Sequence, residues 1–478
     1  MSELYKNYIA GQWVEGTSVN DNINPSNTND IVGRYARASK AQAEEAIAAA
    51  KAAFPAWSRS TPQERHDILK KASDEVLARK EELGKLLSRE EGKTLAEGIG
   101  EATRAGQIFD FFAGEALRLN GEVVTSVRPG VGIEVTREAV GVIGMITPWN
   151  FPIAMITRKI APAMAAGCTI VIKPAEQTPL SALALAELAH RAGIPAGVIN
   201  ILTADSEQSI AIGKVLCSSP IVRHLSFTGS TPVGRILMAQ SAPTIKKLAL
   251  ELGGHAPFIV FDDADIDAAV EGALISKYRN AGQTCVCTNR FYVHESLHDA
   301  FVEKLAAESK KIRVGKGTDE GVQQGPLIDE QAVAKVEAHI ADAVAQGAKV
   351  VAGGQRHALG GTFFEPTVLS GVKKGMLITR EETFGPVAAV MPFKTEAEVI
   401  EMANDSEFGL ASYFFSRDIG RIWRVAEALE FGMVGVNTGL ISNEIAPFGG
   451  VKQSGLGREG SVWGIEEYLE MKYVCLGL

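Results

Sequence analysis

The sequence predicts an α/β fold with a mostly parallel sheet, and three observations support this prediction. Apolar strand-like segments alternate with helix-like segments after Ala139 and again after Leu250, which is typical of parallel strands joined by crossover helices. The chain has 48 glycines among 478 residues, which suits many tight strand–helix connections. A chain of this length also exceeds one ordinary hydrophobic core, so we expect two or three domains.

The elements before residue 250 follow from apolar spacing. Segments 43–53 and 63–91 have helical spacing, and the β-prone stretch 122–136 around Arg128-Pro129-Gly130 predicts a hairpin. Four strands are expected beyond it, at 140–147, 169–173, 198–202 and 224–227. Helices are expected between and after them, at 161–166, 180–192, 209–216 and from 232 onward. The charge-free stretch 139–157 approaches membrane-spanning length, but its prolines favour a buried strand and loop.

A second α/β region is expected after Leu250. It begins with a strand at 258–261 and a helix at 266–278, and it includes an amphipathic helix at 331–346. The tail 468–478 resembles a short terminal strand, and another subunit is its expected partner.

Composition and charge limit the functional classes. The net charge is −9, which excludes the basic footprint of a protein that binds nucleic acid or an anionic membrane. Five cysteines form an odd, sparse set in a long chain, which indicates a reducing compartment. The N-terminus shows no apolar signal region. We therefore expect a soluble, cytoplasmic protein.

Cys285 is the first candidate for chemistry, in the segment Arg279-Asn-Ala-Gly-Gln-Thr-Cys285-Val-Cys287. A cysteine near a turn resembles a reactive thiol, and backbone amides at a helix start together with Arg279 would favour its thiolate. A buried structural cysteine is the alternative. The Cys-x-Cys spacing is poor for zinc and no other zinc motif occurs, so no metal is expected.

Two further segments could assist a thiol nucleophile. Glu251 lies among apolar residues before a glycine pair, which predicts a raised pKa suited to a general base. A solvated helix-end carboxylate is the alternative. Asn150 lies in a proline-flanked bend from which its amide could stabilise an oxyanion, although asparagine is also common in ordinary turns.

Two segments could bind a dinucleotide. Phe227-Thr-Gly229-Ser230 lies where a strand ends and a helix begins, so free amides and the helix dipole could receive a pyrophosphate. The spacing is not the Gly-x-Gly-x-x-Gly fingerprint, and a plain glycine turn is the alternative. Lys173 and Glu176 follow an earlier strand and could bond ribose hydroxyls.

The chain resembles the aldehyde dehydrogenase superfamily over essentially its whole length, because seven motifs occur in the family's order. They are Pro148-Trp-Asn150-Phe-Pro, Lys173-Pro-Ala-Glu176, Phe227-Thr-Gly-Ser230, Glu251-Leu-Gly-Gly, Gly282-Gln-Thr-Cys285, Glu382-Thr-Phe384-Gly-Pro and Pro447-Phe-Gly-Gly. Within the superfamily, three segments look like the succinate-semialdehyde dehydrogenase group: Cys285-Val-Cys287, Asn437-Thr-Gly-Leu-Ile-Ser442-Asn-Glu and 455–468.

The resemblance implies a thiol mechanism for aldehyde oxidation. The Cys285 thiolate would attack the aldehyde carbon, with the Asn150 amide and the Cys285 backbone N–H holding the thiohemiacetal oxyanion. Hydride transfer to a nicotinamide would leave a thioester, and water activated by Glu251 would hydrolyse it. Lys159 matches a lysine that the family keeps near the nicotinamide.

The resemblance also implies a cofactor site. Lys173 and Glu176 would bind the adenosine ribose and Ser230 the pyrophosphate, while Glu382 and Phe384 would bind the nicotinamide ribose and ring. The other positions assigned to this site are Thr147, Pro148, Trp149, Gly229 and Leu252. Glu176 would repel a 2′-phosphate, so NAD is the expected cofactor, although Lys173 could offset that repulsion and allow NADP.

Arg158, Arg279 and Ser442 match the positions at which the succinate-semialdehyde group holds the substrate carboxylate. Arginine forks pair bidentately with carboxylates and so discriminate against neutral aldehydes, whereas structural ion pairs are the alternative. Succinate semialdehyde is the expected substrate. His255, where most of the group has asparagine, leaves glutarate semialdehyde, 2-oxoglutarate semialdehyde and broad specificity open.

The same residues bear on two alternative functions and on the role of Cys287. An enzyme that acylates coenzyme A would need no water-activating base, so Glu251 argues against it. The set Asn150, Glu251 and Cys285 argues against a catalytically silent scaffold on the same fold. Cys287 could form a reversible disulfide with Cys285 under oxidation, or it could be a passive small residue.

The expected architecture has three parts. They are an NAD-binding Rossmann-type domain (1–119 and 140–250), a catalytic α/β domain (251–445) and a small β oligomerisation extension (120–139 and 446–478). The extension would pair with a neighbouring subunit in a homodimer or homotetramer.

Overall fold

The computed structural model describes residues 4–477 of the chain. The strands are β1 Leu4–Tyr5, β2 Asn7–Ile9, β3 Gln12–Val14, β4 Ser18–Ile23, β5 Ile31–Arg37, β6 Glu122–Val124, β7 Val131–Ala139, β8 Val142–Ile146, β9 Thr169–Lys173, β10 Ile199–Ile201, β11 Val222–Thr228, β12 Lys247–Glu251, β13 Ala256–Val260, β14 Thr288–His294, β15 Lys349–Ala352, β16 Thr367–Ser370, β17 Val387–Phe393, β18 Ala411–Phe415, β19 Met433–Val436, β20 Gly455–Leu456 and β21 Leu469–Gly477. The α-helices are α1 Lys40–Trp57, α2 Pro62–Ala78, α3 Lys80–Glu91, α4 Leu95–Ala116, α5 Pro152–Ala166, α6 Pro179–Ala192, α7 Ser206–Ser218, α8 Thr231–Ser241, α9 Ile266–Tyr278, α10 His298–Ser309, α11 Glu330–Ala345, α12 Glu396–Asn404, α13 Ile419–Ala428 and α14 Ser461–Gly464.

Two large sheets organise the molecule. The first has the strand order β20-β12-β11-β8-β9-β10-β2-β3, and its run from β12 to β10 is parallel throughout. The second has the order β15-β16-β17-β14-β13-β18-β19, in which only the β15–β16 pair is antiparallel. The predicted α/β class with a mostly parallel sheet is confirmed.

The strand order of the first sheet positions two of the predicted binding loops. Strands β8, β9 and β10 lie side by side in that order, and β11, the next strand in the chain, lies on the opposite side of β8. The order of the strands therefore reverses between β8 and β11. The crevice at such a reversal, beyond the carboxyl ends of the strands, is where open α/β sheets bind ligands. Asn150 follows β8, and Ser230 follows β11, so both loops meet at this crevice.

Helix α5 shows how local sequence sets an element. Pro152 occupies its first turn, where a missing N–H costs nothing, and Gly167 closes it with φ 90°. We expected a helix only from residue 161, so the prediction of a loop at 152–157 is wrong. Every residue of α5 is buried, including Arg158 and Lys159. Two cations inside the protein need partners or a ligand.

The small β extension is partly as predicted. β6 and β7 form the expected antiparallel hairpin. β21 pairs with β7 over its whole length, from Leu469 opposite Ala139 to Gly477 opposite Val131. The expectation that a neighbouring subunit must supply the partner of the tail strand is therefore wrong, because that partner lies in the same chain. β21 occupies the edge of its sheet.

Five short strands before residue 38 were not predicted. Their burial is mixed and β1 has only two residues, so they carry little of the period-two pattern that identifies a strand. The domain boundaries given above remain a prediction. No helix within residues 4–477 is long and apolar enough to cross a membrane.

Candidate active site

Cys285 lies where two cavities meet, one of about 270 Å³ and one of about 560 Å³. It occupies the turn between the short helix Arg279–Gly282 and β14. The linker from β12 to β13 presses against this turn, since a Cβ on Gly254 would lie 2.2 Å from the Cys285 carbonyl oxygen. Only glycine allows that approach, which explains the glycine pair after Glu251.

The backbone that leads to Cys285 is strained and is held by the carboxylates of the half-buried Glu97 and the buried Glu91. Asn280 and Ala281 have φ of 51° and 55°, a left-handed conformation that costs energy in residues other than glycine. The Asn280 backbone N–H donates to Glu97 at 2.7 Å, and its side-chain amide donates to Glu91 at 2.8 Å. These bonds fix the turn.

The protonation of Cys285 differs from the prediction. No helix begins at this residue, so no helix-terminal amides favour its thiolate. Burial, together with the charges of Glu382 and Glu251, raises the pKa of the Cys285 thiol to about 12, although Arg158 and Arg279 act to lower it. The prediction of a favoured thiolate is wrong for the protein alone, because burial outweighs both arginines.

Asn150 is buried and faces the same cavity as Cys285. Its side-chain amide donates to the Gln283 carbonyl oxygen at 3.0 Å. Its own carbonyl oxygen accepts from Lys93 Nζ at 2.7 Å and from the Asn280 amide at 3.2 Å. The amide that could stabilise an oxyanion is therefore tied to the turn that carries the thiol.

Lys93 is a fully buried cation that sequence reasoning missed. Its Nζ lies 2.6 Å from a Glu101 oxygen, 3.8 Å from a Glu91 oxygen and 4.0 Å from the centroid of the Phe151 ring. Glu101 also accepts the first backbone N–H groups of α5, from Ile153 at 2.9 Å and from the next residue. The signal for this network was a lysine and several carboxylates close together between helical segments, a pattern that usually means a solvated surface.

Glu251 ends β12 and is buried, and neither of its carboxylate oxygens has a hydrogen-bond partner among residues 4–477. Burial, followed by the charge of Glu459, raises the pKa of Glu251 well above its usual value. The predicted raised pKa is confirmed. Gly449 leaves room for this carboxylate, since a Cβ there would lie 2.9 Å from Glu251 Oε1.

Lys159 lies on the Glu251 side of the site and lines neither cavity. Its Nζ donates to Glu459 at 2.5 Å and to Ser226 Oγ at 2.9 Å. Glu459 also lies 4.0 Å from Arg158. The structure thus places Lys159 as the cation that balances a second buried carboxylate next to Glu251.

The cavity of about 270 Å³ brings Arg158, Arg279 and Ser442 together with Cys285. The Arg158 guanidinium lies 4.3 Å from the centroid of the Phe448 ring, and its buried NH1 has no hydrogen-bond partner within the described residues. A buried guanidinium with an unused donor suits an anionic ligand. Sequence reasoning missed Arg104 and Glu97, which line the same cavity without belonging to any motif.

Besides Cys285, the cavity of about 560 Å³ is lined by eight of the residues predicted for the catalytic and cofactor sites. They are Pro148, Trp149, Asn150, Gly229, Ser230, Leu252, Glu382 and Phe384. Ser230 precedes α8 without capping it through its side chain. The hydroxyls of Thr228 and Thr147 are buried without partners in residues 4–477. Free amides and unused hydroxyls at a helix start fit a dinucleotide.

Two predicted ribose ligands lie beside this cavity rather than in its wall. Lys173 Nζ and Glu176 Oε2 are 3.1 Å apart, and Ser206 Oγ donates to Glu176 at 2.9 Å. Burial raises the pKa of Glu176, but the charge of Lys173 and the hydrogen bonds lower it below its usual value, so Glu176 is ionised. Thr147 also lies outside the wall, whereas Gln177, Asp329 and Lys335 line it and were not predicted.

His255 and Cys287 both lie away from the cavities. His255 is buried, and its ring Nε2 donates to the Ile378 carbonyl oxygen at 3.1 Å. Burial, followed by the charge of Arg290, lowers the pKa of His255 well below its usual value. Cys287 is buried with its thiol 3.1 Å from the Lys277 carbonyl oxygen, and it is a free cysteine, as is Cys285. A disulfide between the two remains a prediction.

Residues 4–477 contain no group of three or more His, Cys, Asp and Glu side chains that could hold a metal ion.

Known proteins resemble this chain over almost its whole length. The model of the aldehyde dehydrogenase family matches residues 13–474. Glutarate-semialdehyde dehydrogenase of Pseudomonas aeruginosa is 58% identical over 98% of this chain and 97% of the relative. The NADP(+) succinate-semialdehyde dehydrogenase of Escherichia coli is 54% identical over 98% of this chain and 97% of the relative. The crystal structure of succinate-semialdehyde dehydrogenase from Burkholderia pseudomallei superposes with a TM-score of 0.97 at 56% identity, covering 99% of this chain and 98% of that one.

Proposed function

Because this chain belongs to the aldehyde dehydrogenase family, an oxidoreductase family that uses NAD(P), we propose that it oxidises succinate semialdehyde to succinate. One observation carries the proposal. Cys285 lies between a cavity lined by two arginines and a cavity built for a dinucleotide. An anionic aldehyde in the first cavity and a nicotinamide in the second would meet at this thiol.

The residues of the chain can support each chemical step. The Cys285 thiol gives its proton to water and its sulfur attacks the aldehyde carbon. The oxyanion that forms accepts hydrogen bonds from the Asn150 amide and from the Cys285 backbone N–H. NAD(P), when bound, accepts the hydride that converts the thiohemiacetal into a thioester. Glu251 then takes a proton from the water that attacks the thioester, and the raised pKa of its carboxyl suits this role near neutral pH.

Substrate choice rests on Arg158 and Arg279. Arg158 keeps a buried donor free, and Arg279 lies 5.5 Å from the centroid of the Phe151 ring with no ion pair within the described residues. Two such guanidiniums would bind the carboxylate bidentately, and Ser442 would add a hydroxyl. An aldehyde without a carboxylate would leave Arg279 without an ion pair and the free Arg158 donor without a hydrogen-bond acceptor, which disfavours it.

We infer NAD as the preferred cofactor and NADP as possible. The ionised Glu176 would accept from ribose hydroxyls and repel a 2′-phosphate, while Lys173 reduces that repulsion. On the same grounds we assign the first sheet and its loops to cofactor binding and the second sheet to catalysis. A homodimer or homotetramer that uses the open edge of β21 is the proposed assembly.

Glutarate semialdehyde is the second candidate substrate. It is favoured by the glutarate-semialdehyde dehydrogenase that is 58% identical to this chain. Its carboxylate lies one methylene farther from the aldehyde carbon. The same catalytic residues would serve both substrates.

The decisive experiment compares kcat/KM for NADH formation from succinate semialdehyde, glutarate semialdehyde, 2-oxoglutarate semialdehyde and butanal. We expect the acids to exceed butanal by about 10²-fold or more. The variant Arg158→Leu should lose most of that preference while keeping its rate with butanal, and Arg424→Leu, an exposed arginine far from both cavities, serves as the matched control. Equal use of butanal by the unmodified enzyme would refute the carboxylate site.

A further inference from the structure

We propose that Arg104, paired with Glu444, is a specificity-determining residue that lets the substrate cavity accept a semialdehyde longer than succinate semialdehyde. This inference rests on the proposed function, because it assigns the residue that binds the more distant carboxylate of the same substrate class.

Arg104 is a third arginine in the wall of the cavity that holds Arg158 and Arg279. It projects from α4 and forms an ion pair with Glu444, which lies in the loop that also carries Ser442. Its side chain is 32% exposed, against 8% for Arg158. Arg104 therefore lies nearer to solvent, on the side from which a longer substrate would extend out of the cavity.

The ion pair with Glu444 distinguishes Arg104 from the other two arginines in the cavity wall. Two carboxylates line the cavity, and both are already used: Glu97 accepts the Asn280 backbone N–H, and Glu101 accepts from Lys93. Glu444 is not part of the cavity wall, but its carboxylate pairs with Arg104 and neutralises it. A short substrate therefore meets Arg158 and Arg279 as its cations, and Arg104 becomes available only when another carboxylate replaces Glu444.

That replacement is physically easy. Both side chains of the Arg104–Glu444 pair are partly exposed, and exposed ion pairs contribute little to stability in water. The loop backbone is held independently, since the Glu444 carbonyl oxygen accepts the Ser461 N–H at 3.0 Å. The Glu444 side chain can thus leave Arg104 without unfolding the loop that positions Ser442. A substrate carboxylate one methylene farther from Cys285 would take its place.

The test compares succinate and glutarate semialdehydes as substrates of three variants. Arg104→Met should lower kcat/KM for glutarate semialdehyde by about tenfold and leave succinate semialdehyde within about twofold, since only the longer substrate loses a charged partner. Glu444→Gln frees Arg104 and should raise the ratio of glutarate to succinate kcat/KM several-fold. Arg424→Met removes an exposed arginine outside the cavity and should leave the ratio unchanged.

Butanal separates the two levels of inference. If the unmodified enzyme uses butanal as well as the acids, the proposed function fails, and the role of Arg104 fails with it. If the acids are preferred but Arg104→Met lowers both acids equally, or Glu444→Gln leaves the ratio unchanged, then Arg104 is a structural residue and only the present inference is overturned. A poorly folded Arg104 variant leaves Glu444→Gln to decide.

Discussion

Replacing Lys93 by methionine should strongly destabilise the protein, because it removes the cation that balances a buried carboxylate. The structure gives the magnitude. Burial raises the pKa of Glu91 to about 8, so that neighbour is largely neutral at pH 7 and Glu101 is the charge left unpaired. Over the 2.6 Å between Lys93 Nζ and the Glu101 oxygen, the attraction is about 6 kcal/mol at an effective dielectric constant of about 20. Part of this offsets the desolvation of the lysine, and breaking such a buried pair costs about 3–5 kcal/mol.

The same substitution should lower kcat more than it raises KM. Lys93 holds the Asn150 carbonyl oxygen at 2.7 Å, so its loss releases the residue that positions the oxyanion donor. A displacement of about 1 Å in a catalytic group can cost about 10²-fold in rate. The proposed carboxylate site at Arg158 and Arg279 does not include this contact.

Urea unfolding, followed by tryptophan fluorescence at one subunit concentration, would measure the stability of Lys93→Met, Glu101→Gln and the double variant. The double variant removes both charges, so it should recover much of the stability lost in Lys93→Met. A loss below about 1 kcal/mol in Lys93→Met, which is the range of an exposed pair, would refute the reasoning. So would a double variant no more stable than Lys93→Met.

Four shorter predictions concern the remaining site residues. Asn150→Ala should lower kcat by about 10²- to 10³-fold with little change in KM in steady-state assays, and a smaller loss would mean that the backbone N–H alone holds the oxyanion. The proposed mechanism needs the base form of Glu251, and the pKa of this carboxyl is raised. We therefore expect kcat to rise with pH through a midpoint well above the usual pKa of glutamate. A kcat profile that is flat between about pH 5 and about pH 8 would contradict this assignment. Glu176→Ser should raise the NADP to NAD ratio of kcat/KM by about tenfold or more, whereas an unchanged ratio would place the 2′-hydroxyl elsewhere. Cys287→Ala should abolish the part of peroxide inactivation that dithiothreitol reverses, and full retention of that reversible part would exclude a disulfide with Cys285.

The sequence predicted those features that depend on neighbours along the chain. The glycine pair after Glu251 and the apolar residues before it correctly indicated a buried carboxylate with a raised pKa. The protonation of Cys285 could not be predicted in this way, because it depends on burial and on carboxylates far away in the chain, such as Glu382. Lys93 was missed for the same reason: its local sequence is charged, and only tertiary packing buries it.

The order of the strands in the first sheet brings two of the predicted motifs together. The loops after β8 and β11 were recognised from turn residues, and their meeting in one crevice follows from the reversal between these two neighbouring strands. The cavity residue Arg104 belongs to no such pattern, and nothing in the segment that ends at Glu444 connects the two residues. Their sequence separation is 340 positions, and no periodicity connects a helix near the start of the chain with a loop near its end.

The long sequence separation of these contacts determines when the site is completed during synthesis. The partner of β7 is the last strand of the chain, and Glu459, which pairs with Lys159, lies 300 positions after it. A ribosome makes β21 and Glu459 long after the residues that they contact, so the hairpin stays unpaired and the surroundings of Glu251 stay incomplete until both have been made. A chain that stops before Glu459 would therefore carry Cys285 without the carboxylate that pairs with Lys159 beside Glu251.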